Sequence, residues 1–425
     1  MSQDTNKGKD TPILANGNIP PLVEIEAHHQ GRTRRLPVKY QGDNASNEQD
    51  DLKQGKQLFD RAVEKLLSSE NVVVLLGSGA SLALNKENAK VAPSMADLWD
   101  KCEKSHDKFD EIKTTVGYND KKKDIEALLS RCKGFVEYAA DKAKSAPIEA
   151  FIKAAEKTIY EQTNFADKPE LSGDIESLHG ILLERLGRRS PRLGRLKVFT
   201  TNYDRCVEVA AVQKGFVIID GFSFSSKPSY SPGWFDYDII RSSAGPEERE
   251  TRLQNVAHLY KLHGSVDWLE EGEGRVVRRP LKDSETPLLI YPRNDKYQAS
   301  YQSPFIDMIS AWMHALRQPK TTLLCIGFGF NDDHLVAPIF SALARQGDFN
   351  LILASRSLFD SASFNGKYRK MLRDLIDNGD ERVALISAGF ADLAPLFPQT
   401  RAESPQEKLA RLIYQNGVIS AQGGK

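Results

Sequence analysis

The sequence has few cysteines and no close cysteine pair, which excludes the commonest structural uses of that residue. The four cysteines, Cys102, Cys132, Cys206 and Cys325, lie far apart in a chain of 425 residues. Structural zinc needs closely spaced thiolates, and a disulfide framework needs an oxidising compartment. Each cysteine lies in an apolar run, so we expect four small core side chains and no metal site.

The sequence also lacks an excess of either charge and any long apolar run. Lys plus Arg and Asp plus Glu both number 58, so no global field favours nucleic acid or an anionic membrane. No stretch approaches the roughly 20 apolar residues of a membrane helix, and the first residues, MSQDTNKGKDTP, lack the apolar core of a signal peptide. We expect a cytoplasmic protein that binds neither membrane nor, as an isolated chain, nucleic acid.

Two basic stretches are local exceptions to this balance. GRTRRLPVK lies in the N-terminal region, and GRRSPRLGR spans residues 187–195. No aromatic residues are interleaved with these arginines to stack on bases. We interpret both stretches as solvated, with contact to nucleic acid or to an acidic partner as the alternative.

The chain divides into three regions by composition. Residues 1–55 are polar with short apolar islands and are predicted to be a flexible extension. Residues 56–400 carry the periodic apolar patterns of a folded domain, and residues 401–425 are predicted to form a C-terminal helix and tail. Residues 223–238 contain Pro, Gly, Ser and aromatics without periodicity, so we predict a long loop that is a candidate lid.

The domain pattern predicts an α/β fold built on a doubly wound, Rossmann-like parallel sheet. Short apolar runs such as NVVVLL (71–76) suit strands buried on both faces. Residues 94–187 contain helical patterns only, beginning with a Ser94/Asp97 capping box, and form a predicted helical insertion after the first strand. Strands and helices then alternate. The predicted strands are 196–200, 215–220, 257–263, 287–292, 321–327, 350–355 and 382–387.

A glycine-rich turn, GSGAS (77–81), follows the first predicted strand. Gly77 and Gly79 have no Cβ to keep backbone amides away from a phosphate, so the turn could hold a pyrophosphate. The third glycine of the common dinucleotide fingerprint is absent, and no Gly-Lys-Ser/Thr follows. A merely tight strand-to-helix turn remains the alternative.

Polar groups follow three other predicted strands. In VFTTNYDRC, the apolar strand run is followed by Thr201, Asn202 and Asp204. In LYKLHGS, the apolar run is closed by His263, and TTLLCI is followed by Gly327, Phe328 and Gly329. Ligands of open α/β sheets bind outside the carboxyl ends of the strands, so we expect these groups to share one crevice. An amide such as Asn202 can position a water or a ribose hydroxyl. Asp204 as a helix cap and His263 as a structural residue are the alternatives.

These motifs together resemble the sirtuin-like NAD-dependent enzymes over roughly residues 56–395. GSGAS, TTNYD, KLHGS and IGFGFNDDH resemble, respectively, the family's nucleotide loop, its Thr-x-Asn-x-Asp segment, its Leu-His-Gly strand end and its late glycine motif. DIEALLSR, SLHGILLERL and LLIYPRNDKYQASYQSPF resemble the prokaryotic branch found in antiphage defence, which includes partners of HerA-type ATPases. Two features of the deacetylating sirtuins, an Ile-Pro-Asp-Phe-Arg run and a four-cysteine zinc module, are missing.

The resemblance implies NAD as substrate, cleaved to nicotinamide and ADP-ribose with no metal. It implies catalytic roles for Asn202 and His263, with Asp204 on the carboxamide side. The implied nucleotide-binding residues are Gly77, Ser78, Gly79, Ala80, Ser81, Thr201, Asp204, Gly327, Phe328 and Gly329. It also implies a homo-oligomer, a HerA-type ATPase as partner, and antiphage defence by NAD depletion. The alternatives are a module that senses NAD or ADP-ribose without turnover, and an NAD-dependent protein deacylase.

Overall fold

The structure is a computed structural model of the chain. It describes residues 21–29, 31–40, 49–120, 123–138, 142–190, 192–241, 251–272, 274–282, 285–289, 303–356, 358–359 and 364–399. The helix and tail predicted over 401–425 lie outside these residues, as does most of the segment that begins at Leu288 in LLIYPRNDKYQASYQSPF. None of the helices in the described ranges combines the length and the apolar character that crossing a bilayer requires.

A single sheet of nine strands forms the centre of the fold. The strands of the chain are β1 Val23–His29, β2 Arg32–Lys39, β3 Asn71–Leu76, β4 Leu196–Thr200, β5 Val217–Ile219, β6 Ile240–Arg241, β7 Thr251–Arg252, β8 Val256–Lys261, β9 Trp268–Glu271, β10 Arg275–Arg278, β11 Thr321–Ile326, β12 Asn350–Ser355 and β13 Val383–Ala388. The order in the sheet is β2-β1-β13-β12-β11-β3-β4-β8-β5. All neighbours from β13 to β5 in this order are parallel, as predicted.

The helices cover both faces of this sheet and also form a separate cluster. They are α1 Gln49–Ser68, α2 Ser78–Leu82, α3 Met95–Ser105, α4 Phe109–Thr115, α5 Ile125–Tyr138, α6 Lys142–Thr163, α7 Ser172–Ile175, α8 Ile181–Gly187, α9 Cys206–Lys214, α10 Phe305–Leu316, α11 Asp333–Arg345, α12 Gly366–Asp377 and α13 Phe390–Leu393. Alternate residues of β3 show the two-sided burial: Val72 and Val74 pack with α1, α8 and α9, whereas Val73 and Leu75 pack with α10 to α12. The doubly wound fold class is confirmed.

The helical insertion predicted after β3 is present and has its own apolar core. Helices α3 to α6 pack around Trp99, Phe109, Leu128 and Phe151. The predicted Ser94 capping box begins α3, because the Ser94 side chain accepts the Asp97 amide and the Asp97 carboxylate accepts the Ser94 amide. A π-helical turn, Glu176–Gly180, joins α7 to α8.

The N-terminal region differs from its prediction. Residues 23–29 and 32–39 form a packed hairpin, with β1 paired antiparallel to β13 and β2 to β1, where a flexible extension was expected. Val23 and Ile25 are fully buried. A Cβ on Gly55 would lie 1.9 Å from the Pro37 carbonyl oxygen, so α1, which begins at Gln49, contacts β2 directly. Residues 1–20 and 41–48 lie outside the described part.

The predicted loop over 223–238 contains a short turn of 3-10 helix at Pro232–Asp236 and isolated bridges from Tyr230 to Phe222 and from Ser229 to Val277. The small hairpin of β9 and β10 was not predicted. The strand predicted over 287–292 is absent from its described residues, where Leu289 makes only an isolated bridge to Gly264.

The arginines of residues 187–195 are not simply solvated, which corrects the sequence interpretation. Arg188 is buried, and Arg189 donates hydrogen bonds to the carbonyls of Ser69 and Gly194. Arg195 binds the Asp238 carboxylate at 2.6 Å. These arginines hold the start of β4 against its neighbours, because guanidinium groups can satisfy several carbonyl oxygens at once.

The four cysteines are buried core side chains, as predicted. Burial raises the pKa of the Cys102 and Cys132 thiols to about 12. Among the described residues, no three His, Cys, Asp or Glu side chains come together in a way that could hold a metal ion.

Candidate functional site

A cleft of about 670 Å³ opens at the carboxyl ends of β3, β4, β8 and β11. The sheet order reverses here, because the chain builds β4, β5 and β8 on one side of β3 and β11 to β13 on the other. Open α/β sheets bind ligands at such switch points. Of the predicted site residues, the cleft is lined by Ser78, Ser81, Thr201, Asn202, Asp204, His263, Phe328 and Gly329.

Two walls form this cleft. The sheet wall comprises the residues that follow the strands: Ser78, Ser81, Thr201, Asn202, Asp204, His263, Phe328, Gly329, Asn331 and Asp332. The helical wall comprises four residues at and before the start of α5: Asp120, Lys123, Asp124 and Glu126. Leu98, Met95 and Phe165 add apolar surface between them.

Three glycines of the two loops, Gly77, Gly79 and Gly327, contact each other and do not line the cleft. A Cβ on Gly77 would lie 2.6 Å from the Gly327 oxygen, and one on Gly79 would lie 2.6 Å from the Gly327 Cα. Gly327 itself has a φ of 64°, in the left-handed region. The small residues are therefore needed for the close approach of two backbones.

Three backbone amides of this first loop already donate hydrogen bonds within the protein, so the expected phosphate-binding role of the loop stays a prediction for its other groups. The Gly77 amide donates to the Ile326 oxygen, the Gly79 amide to the Gly327 oxygen, and the Ala80 amide to the Gly77 oxygen. What the loop presents to the cleft is Ser78 and Ser81. The alternative of a tight structural turn therefore describes Gly77, Gly79 and Ala80 better.

Asn202 is held in place by the first loop. Its side-chain amide donates to the Gly77 oxygen at 3.0 Å and to the Ser81 hydroxyl at 2.8 Å. Its backbone amide donates to the Thr200 hydroxyl at 3.0 Å. Both side-chain N–H donors of Asn202 are used, so the side-chain oxygen is the atom that this geometry leaves for a ligand or a water.

Asp204 performs the capping role that the sequence left open and also fixes Ser81. One carboxylate oxygen accepts the Cys206 amide at 3.0 Å, at the start of α9. The other accepts the Ser81 hydroxyl at 2.6 Å. Ser81 thus joins Asn202 to Asp204, and the three side chains form one hydrogen-bonded chain.

Lys261 holds the backbone of the segment that contains Asp204. It was not among the site residues predicted from the sequence. It is 2% exposed. Its ammonium group donates to the carbonyl oxygen of Asp204 and contacts the Glu208 carboxylate at 3.2 Å. Its position two residues before His263 in KLHGS was a possible signal, since a buried lysine must have partners.

His263 is buried at the end of β8 and has an acidic partner. Its Nε2 atom lies 3.3 Å from Oδ2 of Asp332, the residue that caps α11. Burial alone raises the pKa of Asp332, but His263, His334 and the His334 amide together bring the net shift below its ordinary value. The next residue, Gly264, has a φ of 84°, and a Cβ there would lie 2.3 Å from the Leu288 oxygen. This glycine is therefore needed for the turn that positions His263.

Glu126 of the helical wall is the second carboxyl group near His263. It was also not among the site residues predicted from the sequence. The Tyr203 hydroxyl donates to its Oε1 atom at 2.6 Å. Burial raises the pKa of Glu126 to about 7, although His263 and Tyr203 both oppose the rise. Carboxyl groups with a pKa near neutrality are concentrated at functional sites.

Residues 196–370 match a family model described as a SIR2-like domain. This part of the chain is similar to SIR2-like domains. The SIR2-like region runs from β4 into α12 and contains TTNYD, KLHGS and IGFGFNDDH, whereas GSGAS and the helical insertion precede it. Among curated proteins, none matches the chain significantly.

Solved structures give a wider but looser similarity. One, of Sir2 with a p53 peptide and NAD+, has 10% identity and a TM-score of 0.34, covering 85% of this chain and 99% of its own. Another, of Sir2 with the inhibitor EX-527, 2'-O-acetyl-ADP-ribose and deacetylated p53 peptide, has 12% identity and a TM-score of 0.35, covering 84% and 99%. At these scores the similarity adds nothing to the sequence match.

Proposed function

We propose that the cleft binds NAD+ and hydrolyses its nicotinamide–ribose bond. The observation that carries this proposal is the convergence of His263, its partner Asp332 and a fixed Asn202 at one cleft, all three within the SIR2-like region. The resemblance of TTNYD, KLHGS and IGFGFNDDH to motifs of the sirtuin-like NAD-dependent enzymes is the basis for choosing this nucleotide.

The reaction requires a water, a base and a leaving group that departs without assistance from a metal. The C1'–N bond breaks with its electron pair on nicotinamide, which leaves as a neutral molecule because it is cationic in NAD+. A water oxygen bonds to C1', and one proton of that water passes to His263. The products are nicotinamide, ADP-ribose and a proton.

The sheet wall supplies the base, the partner of the base and the group that orients the water. Asp332 engages Nε2 of His263, which leaves Nδ1 as the nitrogen that takes the proton. The Asn202 side-chain oxygen orients the attacking water or a ribose hydroxyl, because its amide group is fixed by Gly77 and Ser81. The Asp204 carboxylate holds Ser81, and we place it on the carboxamide side of the nucleotide.

The remaining part of the sheet wall holds the nucleotide. Ser78, Ser81 and Thr201 offer hydroxyl groups, and Gly329 allows close approach beside Phe328. The pyrophosphate is bound through these hydroxyl groups and the second loop, since the amides of Gly77, Gly79 and Ala80 are used internally.

The test is nicotinamide release from NAD+ by the purified protein with no acylated peptide present. A hydrolase releases nicotinamide and ADP-ribose in equal amounts. A sensor of NAD or ADP-ribose binds the nucleotide and releases none, and a deacylase releases nicotinamide only when an acyl-lysine peptide is added. Either of these results would contradict the proposal.

We place this hydrolase in antiphage defence by NAD depletion, as a homo-oligomer or with a HerA-type ATPase. An unregulated NAD hydrolase would harm its own cell, so subunit or partner contacts are expected to gate the cleft. The test compares NAD levels during phage infection in cells with the wild-type gene and with His263→Ala, each with and without the ATPase. Equal NAD levels in all four would contradict this role.

A further inference from the structure

Glu126 comes from a part of the chain that lies outside the SIR2-like match, yet it lines the same cleft as His263. It lies at the second position of α5, in the helical insertion. A surface helix would place a glutamate at this position in solvent at little cost. Here the side chain is instead held by a tyrosine from the sheet side.

Tyr203 makes this arrangement specific. It lies between Asn202 and Asp204, but its ring packs in the core of the helical insertion with Leu128 and Leu129. Its hydroxyl donates to Glu126 Oε1 at 2.6 Å, a short distance that is typical of a charge-assisted bond. The segment that carries Asn202 on one wall therefore fixes Glu126 on the other.

We propose that Glu126 is a positioning residue for His263, and that its ionised carboxylate stabilises the positive charge that His263 acquires when it takes a proton. This inference rests on the proposed hydrolase function. Asp332 contacts one side of the imidazole, and Glu126 interacts electrostatically with it from the opposite wall.

The surroundings of Glu126 make its charge dependent on pH near neutrality. Burial raises its pKa to about 7. The groups that act on it are His263 and Tyr203, which favour the ionised form, and Asp124 and Asp332, which disfavour it, while Asp120 and Lys123 line the same cleft. Activity should therefore rise as the pH increases through about 7, because the carboxylate forms in that range.

The experiment measures kcat and KM for nicotinamide release from pH 5.5 to 9 in four proteins: wild type, Glu126→Gln, Tyr203→Phe and Glu137→Gln. Glu126→Gln is expected to lower kcat by about 10- to 100-fold at pH 8, with KM nearly unchanged, and to show a shallower rise with pH near 7 than wild type. The amide keeps the size of the side chain but cannot ionise.

Tyr203→Phe is expected to keep the rise in activity but to move it to higher pH. The hydroxyl lowers the pKa of Glu126, so its removal makes the carboxylate form later. Glu137 lies on the exposed side of the same helix, and Glu137→Gln should match wild type at every pH. Melting temperatures of all four proteins separate loss of folding from loss of charge.

Failure of the role of Glu126 and failure of the hydrolase function give different results. If wild type releases nicotinamide and folded Glu126→Gln shows the same rate and pH profile, Glu126 has no part in the reaction and the hydrolase stands. If wild type releases none under any condition tested, with or without its ATPase partner, the proposed function fails first and the role of Glu126 falls with it. A uniform loss at all pH values, with the rise near pH 7 intact, would also overturn the inference.

Discussion

The two walls of the cleft satisfy their polar groups in different ways. On the sheet wall, Asn202, Ser81 and Asp204 bond to one another and to backbone groups, so their geometry is fixed before any ligand binds. On the helical wall, Asp124 caps its own helix, and Glu126 is fixed by a residue of the opposite side. A preorganised wall suits chemistry that needs exact distances, and a titratable wall suits control of charge.

The largest expected effect on activity comes from removing the reacting groups of the sheet wall. His263→Ala and Asn202→Ala should each reduce nicotinamide release by about 10²–10⁴-fold. The first variant lacks the base, and the second lacks the amide oxygen that orients the water. Both proteins should stay folded and bind NAD+. Calorimetric binding, melting temperature and turnover, measured together, check this.

A structural role for His263 gives the opposite pattern. The melting temperature of His263→Ala would fall, while activity per folded molecule would stay within a few-fold of wild type. That result would remove His263 from the mechanism.

The second prediction concerns the contact between the two glycine loops beneath the sheet wall. Gly327→Ala should lower the free energy of unfolding by more than about 1 kcal/mol, because the new Cβ would lie 2.6 Å from the backbone of Gly79 and Ala80 at a positive φ. Denaturant unfolding measures the change.

Gly134→Ala is the matched control for that variant. Gly134 lies within α5, and a Cβ there meets nothing within 4 Å. Alanine is favoured over glycine inside a helix by roughly 0.5–1 kcal/mol, so this protein should be slightly more stable than wild type. Equal effects of the two substitutions would contradict the loop contact.

The third prediction tests Ser81 as the link within the sheet wall. Ser81→Ala leaves the Asn202 amide and the Asp204 carboxylate without a shared partner, which should cost about 1–3 kcal/mol of stability. Turnover should fall by less than in Asn202→Ala, since Gly77 still holds the amide. Chemical denaturation and steady-state kinetics provide the two readings.

Ser177→Ala is the control, because that hydroxyl bonds only a nearby carbonyl on an exposed turn. It should change neither reading. If Ser81→Ala also leaves both unchanged, the hydrogen-bonded chain does not fix the sheet wall.

The smallest expected effect is a difference in the pH dependence of stability. Burial lowers the pKa of His179, beneath the sheet wall, from 6.5 to about 4. This depressed pKa favours the folded state above pH 6.5, and the advantage is lost as the pH falls from 6.5 towards 4. The melting temperature of wild type should therefore fall more steeply over that range than that of His179→Gln; parallel curves would contradict this.

Glu126, on the helical wall, should make stability depend on pH in the opposite direction. Its folded pKa lies above its ordinary 4.5, so the stabilisation is present below pH 4.5 and is lost as the pH rises through about 7. Relative to wild type, Glu126→Gln should gain melting temperature between pH 5 and 8. A constant difference across this range would show that the carboxyl group is not perturbed by burial.

Much of the sheet wall could be predicted because each of its motifs follows a continuous apolar run. NVVVLL, LKVFT and TTLLCI are buried on both faces, so their carboxyl ends had to meet at one edge. The amide bonds of Gly77 and Gly79 could not be predicted, since they depend on the approach of Gly327 from a distant part of the chain.

The hairpin of β1 and β2 and the helical wall were missed for different reasons. VEIEAHH alternates apolar and polar residues, which is a strand pattern, but the run is short, lies in a polar region, and pairs with both β13 and β2. The bond between Glu126 and Tyr203 joins residues 77 positions apart. No local pattern reports a contact of that kind.

The central claim, that this cleft uses water to cleave NAD+, is tested most directly by the mass of its product. The purified protein, active alone or with its partner, is incubated with NAD+ in heavy-oxygen water, and ADP-ribose is analysed at early times against a control in which ADP-ribose itself is incubated. The account predicts one heavy oxygen in each new ADP-ribose, appearing at the rate of nicotinamide release and almost absent with His263→Ala. Nicotinamide release without labelled ADP-ribose, beyond the exchange seen in the control, would contradict it.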